Sequence, residues 1–271
     1  MRKLIIMLSI IVTSLVAANN LGKRNDYFKF LEETYKLSGS DNFDIGYKDY
    51  DFYVYSIGWS DTYCRTHPSS DICYQHLNAL SHKNILRIHG LWPSMRNGKL
   101  LPTCNTKTQI QINPTESEPF TTMSDVWASM GLSGNTGFWA HEYNKHGYCY
   151  NQRNGVDVND YDVFFQKALD IYNKENFIDI APKVIEGKES TIVGDEERTT
   201  FTIQELTDKI TKIQGTRYFE FECLKKGKDQ LLSEVRFYFD LNFNRINNLK
   251  YHSTCDDSSP LVVYFEKEGT N

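Results

Sequence analysis

The chain has 271 residues, 40% hydrophobic and 24% charged, with a formal net charge of −5. This is the composition of a folded globular protein with room for one substantial core. An acidic chain lacks the broad basic field of a duplex-DNA binder, so any polyanionic ligand must be met by a local site.

In chain order, Met1-Arg2-Lys3 precedes an apolar run from Leu4 to about Ala18 that ends in small residues, Val16-Ala17-Ala18. The run is shorter than the ~20 residues of a membrane span and has the form of a secretory signal peptide. Residues 1–18 are therefore expected to be a signal peptide and 19–271 a single domain. No later segment is apolar enough to cross a bilayer, so no membrane association is expected once the signal is removed. An extracellular or a lysosome- or vacuole-like destination both fit. Behind the signal stand six cysteines, Cys64, Cys73, Cys104, Cys149, Cys223 and Cys255. An even count in a secreted chain predicts three disulfides, although spacing alone does not choose the pairing. No Cys-x-x-Cys pair offers a zinc site.

Asp51–Trp59 is apolar on both alternating faces and reads as a buried strand. Ile85–His89 is a second strand candidate, stopped by Gly90 and Pro93. A helix is predicted over Phe138 to about Tyr148, and another over Asp160–Asn173, where Val163, Phe164, Lys167, Ala168 and Ile171 fall at helical spacing. Residues 187–200 read as an exposed loop. A third helix starts at Thr202, where Thr202-Ile-Gln-Glu205 fits a capping box. Tyr218–Cys223 and Glu234–Leu241 alternate cleanly, and Gly227 between them predicts a hairpin. Strands and helices do not alternate regularly, which points to an α+β fold.

The segment His141-Glu142-Tyr-Asn-Lys145-His146 carries the most chemistry. On an α-helix at ~100° per residue, these two imidazoles, the ammonium and the carboxylate point within about 140° of one another. Its His-Glu start invites a zinc-protease reading, but that motif needs histidines at i and i+4. Here they stand at i and i+5, with Lys145 where the second ligand should be, so no metal is expected. His89 ends the second strand candidate, just before Trp92. These groups together suit RNA transphosphorylation. One neutral imidazole takes the 2′-hydroxyl proton, a protonated one supplies the departing 5′-oxygen, and cationic donors meet the phosphoryl charge. The nucleophile belongs to the substrate, so neither metal nor cofactor is required.

Ile88-His-Gly-Leu-Trp-Pro93 and Trp139-Ala-His-Glu-Tyr-Asn-Lys-His-Gly147 resemble the two catalytic segments of the RNase T2 family, in order and separation. Gly58-Trp-Ser-Asp-Thr-Tyr-Cys64 is similar to that family's early Trp-to-Cys stretch. The resemblance implies an α+β fold with a central antiparallel β-sheet flanked by helices, and disulfides Cys64–Cys73, Cys104–Cys149 and Cys223–Cys255. It implies His146 as general base and His89 as general acid, with His141 on the scissile phosphate, Lys145 and Glu142 supporting the transition state, and Trp92 and Phe138 contacting bases. The expected substrate is single-stranded RNA, not DNA, cut by a monomer through 2′,3′-cyclic phosphates with low base specificity. The alternative is a secreted protein of this kind that acts mainly as a binding or toxic factor. Tyr143 stands where the family usually has Trp, Ser94 where some members have an acidic residue, and Gly58 where Gln is frequent. His67, His76, His82 and His252 match nothing catalytic and are expected to be surface or structural.

Overall fold

The computed structural model describes residues 50–266, apart from 68–69, 96–100, 102, 106–108, 115–118, 132, 195 and 247–252. These residues belong to one compact unit, residues 46–271. The expected signal peptide, residues 19–49 of the expected domain and His252 lie outside the described residues. Among the described residues no helix is long and apolar enough to cross a membrane.

The first strand, β1 (Phe52–Trp59), is followed by two short helices, α1 (Ser60–Thr66) and α2 (Ser70–Ala79), and by β2 (Leu86–Ser94). Helix α3 (Phe120–Val126) leads to α4 (Gly134–Glu142), a π-helical turn (Tyr143–Gly147) and α5 (Tyr148–Asn154). Then come α6 (Tyr161–Lys174), α7 (Ile180–Ile185), β3 (Thr191–Val193), β4 (Glu196–Phe201) and α8 (Ile203–Gln214). The hairpin β5 (Phe219–Lys226) and β6 (Asp229–Phe239) precedes the last described strand, β7 (Leu261–Tyr264). The sheet runs β2-β1-β6-β7-β4-β3, with β5 also on β6. Its pairs are antiparallel as expected except for a short parallel contact of β6 with β7.

Local rules explain much of this. Thr202 caps α8 by accepting the Glu205 backbone N–H at 3.0 Å, and Gly215, at φ 66°, ends that helix. Gly227, at φ 61°, turns the β5–β6 hairpin. Helix α6 buries Phe164, Phe165, Ala168, Leu169, Ile171 and Tyr172 in the main core, with Tyr55, Ile57, Val235 and Phe237 from the sheet. The core is rich in aromatic rings, as where Phe177 stacks on Phe237 at 4.6 Å.

Three expectations need correction. Strand β2 runs through Gly90 and Pro93 rather than stopping there. It is an edge strand, so the N–H that proline lacks is not needed by a second neighbour. Residues 187–200 are not a loop throughout, because β3 and β4 extend the sheet there. The charged residues of β4 hide its pattern, while its Thr199 and Phe201 are buried. The predicted helix over Phe138–Tyr148 starts earlier, at Gly134, and is interrupted by the π-turn.

All three disulfides pair as the resemblance implies, Cys64–Cys73, Cys104–Cys149 and Cys223–Cys255. Cys104–Cys149 fastens the segment around residue 104 to the first turn of α5, directly after the π-turn. That segment also donates Cys104 N–H to Lys145 O (3.2 Å) and Asn105 N–H to Asn144 O (2.8 Å).

Candidate active site

Strand β2 carries a β-bulge at His89. Ser56 pairs with Gly90 and the next residue, Ile57, pairs with Ile88, which leaves His89 as the extra residue. Simple alternation would put His89 and Trp92, three apart, on opposite faces. The bulge restores them to one face and their rings lie 4.9 Å apart. Trp127 fixes the bulge by donating its indole N–H to His89 O at 3.1 Å.

The π-turn shapes the other half. Its wider i→i+5 turn brings His141 and His146 nearer to one line than an α-helix does. The α-helical angle argument against a metal pair therefore does not hold for this segment. Among the described residues, no group of three or more His, Cys, Asp and Glu is arranged to hold a metal ion. Asn144 serves the turn's irregular backbone. Its amide donates to Ala140 O (2.7 Å) and Ile110 O (2.8 Å) and accepts from Ile110 N (2.9 Å) and Asn105 Nδ2 (2.9 Å). Gly147 allows close packing, because a Cβ there would lie 2.5 Å from the Tyr143 ring and 2.7 Å from that of Phe164. Tyr143 itself is core, donating its hydroxyl to Val158 O at 2.6 Å.

Glu142 is the centre of the cluster. It is 2% exposed and accepts the Trp92 indole N–H at 2.9 Å. Its Oε1 stands 3.9 Å from His89 Nε2 and 4.0 Å from His141 Nε2. His146 lies 5.6 Å from the Trp92 ring and Phe138 6.0 Å from that of His89, centroid to centroid. Lys145 is exposed, and its charge acts on the neighbouring His146. Thus the structure gathers His89, Trp92, Phe138, His141, Glu142 and His146, with Lys145 on the rim. His67 stacks on Tyr63 instead, and His82 pairs with Asp125.

The two imidazoles have opposed electrostatics. Burial would push His89 down, but the Glu234 carboxylate and its hydrogen bond, helped by Glu142, outweigh that and hold it above the ordinary histidine range. The side chain keeps 40% exposure, which limits the opposing desolvation. His146 is held well below that range, first by burial and then by the charges of Lys145, His89 and His141. One imidazole thus favours the proton and the other its absence, which is the division of labour of an acid–base pair.

The sequence reading overlooked Glu234 and Arg236 on β6. Glu234 Oε1 meets His89 Nδ1 at 2.6 Å, and Arg236 donates to Glu234 Oε2 from Nε (2.9 Å) and Nη2 (2.7 Å). The available signal was a carboxylate and a guanidinium two apart in a strand whose alternate residues, Val235 and Phe237, are fully buried.

Residues 50–259 match the profile of the Ribonuclease T2 family. The chain belongs to the ribonuclease T2 family. Ribonuclease 1 of Arabidopsis thaliana is 30% identical over 133 residues, covering 48% of this chain and 54% of its own. Extracellular ribonuclease LE of Solanum lycopersicum is 31% identical over 138 residues, covering 49% and 55%. The chain thus spans about half the length of the curated relatives it matches. In fold, it is similar to the self-incompatibility-associated SF11-RNase of Nicotiana alata, with a TM-score of 0.56 at 19% identity over 79% of this chain and 98% of that one. RNase NT, solved in complex with 5′-AMP, gives a TM-score of 0.53 at 22% identity over 77% and 96%. The mixed sheet with its flanking helices is therefore a T2-type fold.

Proposed function

We propose that the protein is an endoribonuclease that cleaves single-stranded RNA by metal-independent transphosphorylation through 2′,3′-cyclic phosphates, with low base specificity. The observation that carries this reading is the pair of imidazoles, His89 and His146, driven to opposite protonation preferences around the buried Glu142. Neutral His146 takes the proton of the ribose 2′-hydroxyl, whose oxygen attacks the adjacent phosphorus. Protonated His89 gives its Nε2 proton to the departing 5′-oxygen. His141 and Lys145 meet the growing charge on the phosphoryl oxygens, and Glu142 holds the Trp92 indole and the cationic edges of the site in place. Trp92 and Phe138 offer ring faces to unstacked bases. DNA has no 2′-hydroxyl and is not a substrate.

The protein acts as a monomer in the secretory pathway or the compartments it feeds. Three disulfides favour an oxidising environment. Relatives are named both as extracellular and as intracellular ribonucleases, so an extracellular or a vacuole-like destination fits equally.

The test is incubation with RNA and with matched DNA in EDTA. RNA products ending in a 2′,3′-cyclic phosphate are expected, with DNA left intact. Cleavage of DNA, or RNA products lacking the cyclic phosphate, overturns the proposal.

A further inference from the structure

We infer that Glu234 is a positioning residue for His89: it receives the Nδ1–H and so aims the proton-bearing Nε2 edge at Glu142 and the reaction centre. This inference rests on the reading of His89 as the proton donor. The contact is 2.6 Å between His89 Nδ1 and Glu234 Oε1, while Nε2 lies 3.9 Å from Glu142.

Two bulges bring the pair together. One places His89 as the extra residue of β2, and the other, at Ser233, immediately precedes Glu234. There Glu222 pairs with Glu234 and the following Cys223 pairs with Leu232. The carboxylate is itself held. Its Oε2 accepts Ser56 Oγ (2.9 Å), Arg236 Nε (2.9 Å) and Arg236 Nη2 (2.7 Å). Arg236 is anchored in turn by Glu222 at 2.7 Å, and Glu222 accepts the Thr254 hydroxyl at 2.8 Å beside the Cys223–Cys255 disulfide. With three donors on one oxygen, Glu234 stays ionised and acts as an acceptor, so the proton of the shared hydrogen bond belongs to His89 Nδ1. His89 and Arg236 together hold the Glu234 carboxyl well below the usual range against the burial that opposes them.

The charged and titratable groups facing His89 come from two sides. Strand β6 contributes Glu234 and Arg236, and the end of α4 with the π-turn contributes Glu142, His141, Lys145 and His146. Within this set, Glu234 combines charge with a direct bond to the ring nitrogen that faces away from Glu142. An anion on the far edge of an imidazole sets both its tautomer and its affinity for the proton.

Glu234→Gln makes a sharp test. The amide carbonyl would take the place of Oε2 among its three donors, which turns the NH2 toward His89 Nδ1. That nitrogen then becomes an acceptor, and the ring is locked neutral with its hydrogen on Nε2. The experiment records imidazole 15N spectra against pH for the full chain, with pH profiles of kcat/KM on a defined RNA oligonucleotide. In the wild type, neutral His89 should carry its hydrogen on Nδ1 and titrate above an ordinary histidine. In Glu234→Gln the tautomer should invert, and both the titration and the alkaline limb of the profile should move to lower pH. kcat/KM should fall on the order of 10- to 100-fold, through kcat rather than KM. Glu234→Asp, which keeps the charge, should retain more of the wild-type limb than Glu234→Gln.

An unchanged tautomer and limb in Glu234→Gln overturns the inference, as does equal loss in both variants with no movement of the limb. Should Glu234→Gln not fold, the wild-type spectrum decides: neutral His89 with its hydrogen on Nε2 overturns the inference, and on Nδ1 supports it. If the wild type cleaves no RNA, the ribonuclease reading fails, while the tautomer and titration of His89 still decide the role of Glu234.

Discussion

Gly90 is where the fold and the proposed chemistry can be perturbed by a single methyl group. It sits in extended β2 between His89 and Leu91, and a Cβ built there lies 2.2 Å from Glu142 Oε2 and 2.2 Å from Trp92 Nε1. Those two atoms are partners in the 2.9 Å hydrogen bond at the heart of the cluster. The indole is rigid, and Glu142 has no solvent-facing space because only 2% of it is exposed. Gly90→Ala must therefore separate them. Breaking a hydrogen bond to a buried charge costs about 1.5–3 kcal/mol, and overpacking adds about 1–3 kcal/mol. The expected destabilisation is about 2.5–6 kcal/mol, a large share of the ~5–15 kcal/mol typical of a folded domain. Denaturant unfolding followed by aromatic fluorescence reads the stability, and RNA cleavage at a permissive temperature reads the site. Gly58→Ala on β1 is the control, since the nearest atom to its added Cβ is 3.4 Å away, and it should change stability by no more than about 0.5 kcal/mol. The pair Gly90→Ala and Trp92→Phe should cost less together than the sum of the two, because the second removes an atom that the first collides with. A Gly90→Ala protein that unfolds like the wild type and cleaves RNA at the wild-type rate would refute the reasoning.

The pH dependence of kcat/KM should be bell-shaped, with its limbs assigned by residue. Activity rises as His146 loses its proton, at a pH well below the ordinary histidine value, and falls as His89 loses its own above that value. A profile that narrows around the ordinary histidine value would contradict the opposed environments. Replacing both Cys104 and Cys149 by Ala opens a 45-residue span and should cost about 4 kcal/mol on the chain-entropy account. The same change at Cys64 and Cys73, 9 residues apart, should cost about 2.5 kcal/mol. Equilibrium unfolding checks the order, and a reversed order would count against it. Asn144→Ala strips four hydrogen bonds from the π-turn and its neighbour segment and should destabilise the protein by about 3 kcal/mol or more. A thermal midpoint unchanged from the wild type would show that the turn does not depend on it.

Much of the protein is determined locally and is legible along the chain. A run apolar on both faces exposed β1, alternation exposed the β5–β6 hairpin, side-chain capping at Thr202 fixed the start of α8, and the 3.6-residue period marked α6. These signals come from neighbours in sequence, so no distant partner is needed to see them. The cluster of His141, Glu142, Lys145 and His146 was also legible, because that combination of ionisable groups is not one a core selects, whereas the roles of His89, Trp92 and Phe138 came from the resemblance of their segments to the family's. The tertiary structure decided how these groups meet. Strand β4 is rich in charge and is held as a strand by its pairing with β7 on one side and β3 on the other. The bulge at His89 depends on its pairing with β1, and without it Trp92 would face away from the imidazole. The π-turn is secured by Asn144, which reaches Ile110 34 residues away, and the helix that follows it by the Cys104–Cys149 disulfide across 45 residues. Glu234 meets His89 across 145 residues of chain. A one-residue offset reverses a side chain's direction in a strand and swings it by about 100° in a helix. Only the long-range contacts that set those offsets bring the imidazoles and carboxylates into one site.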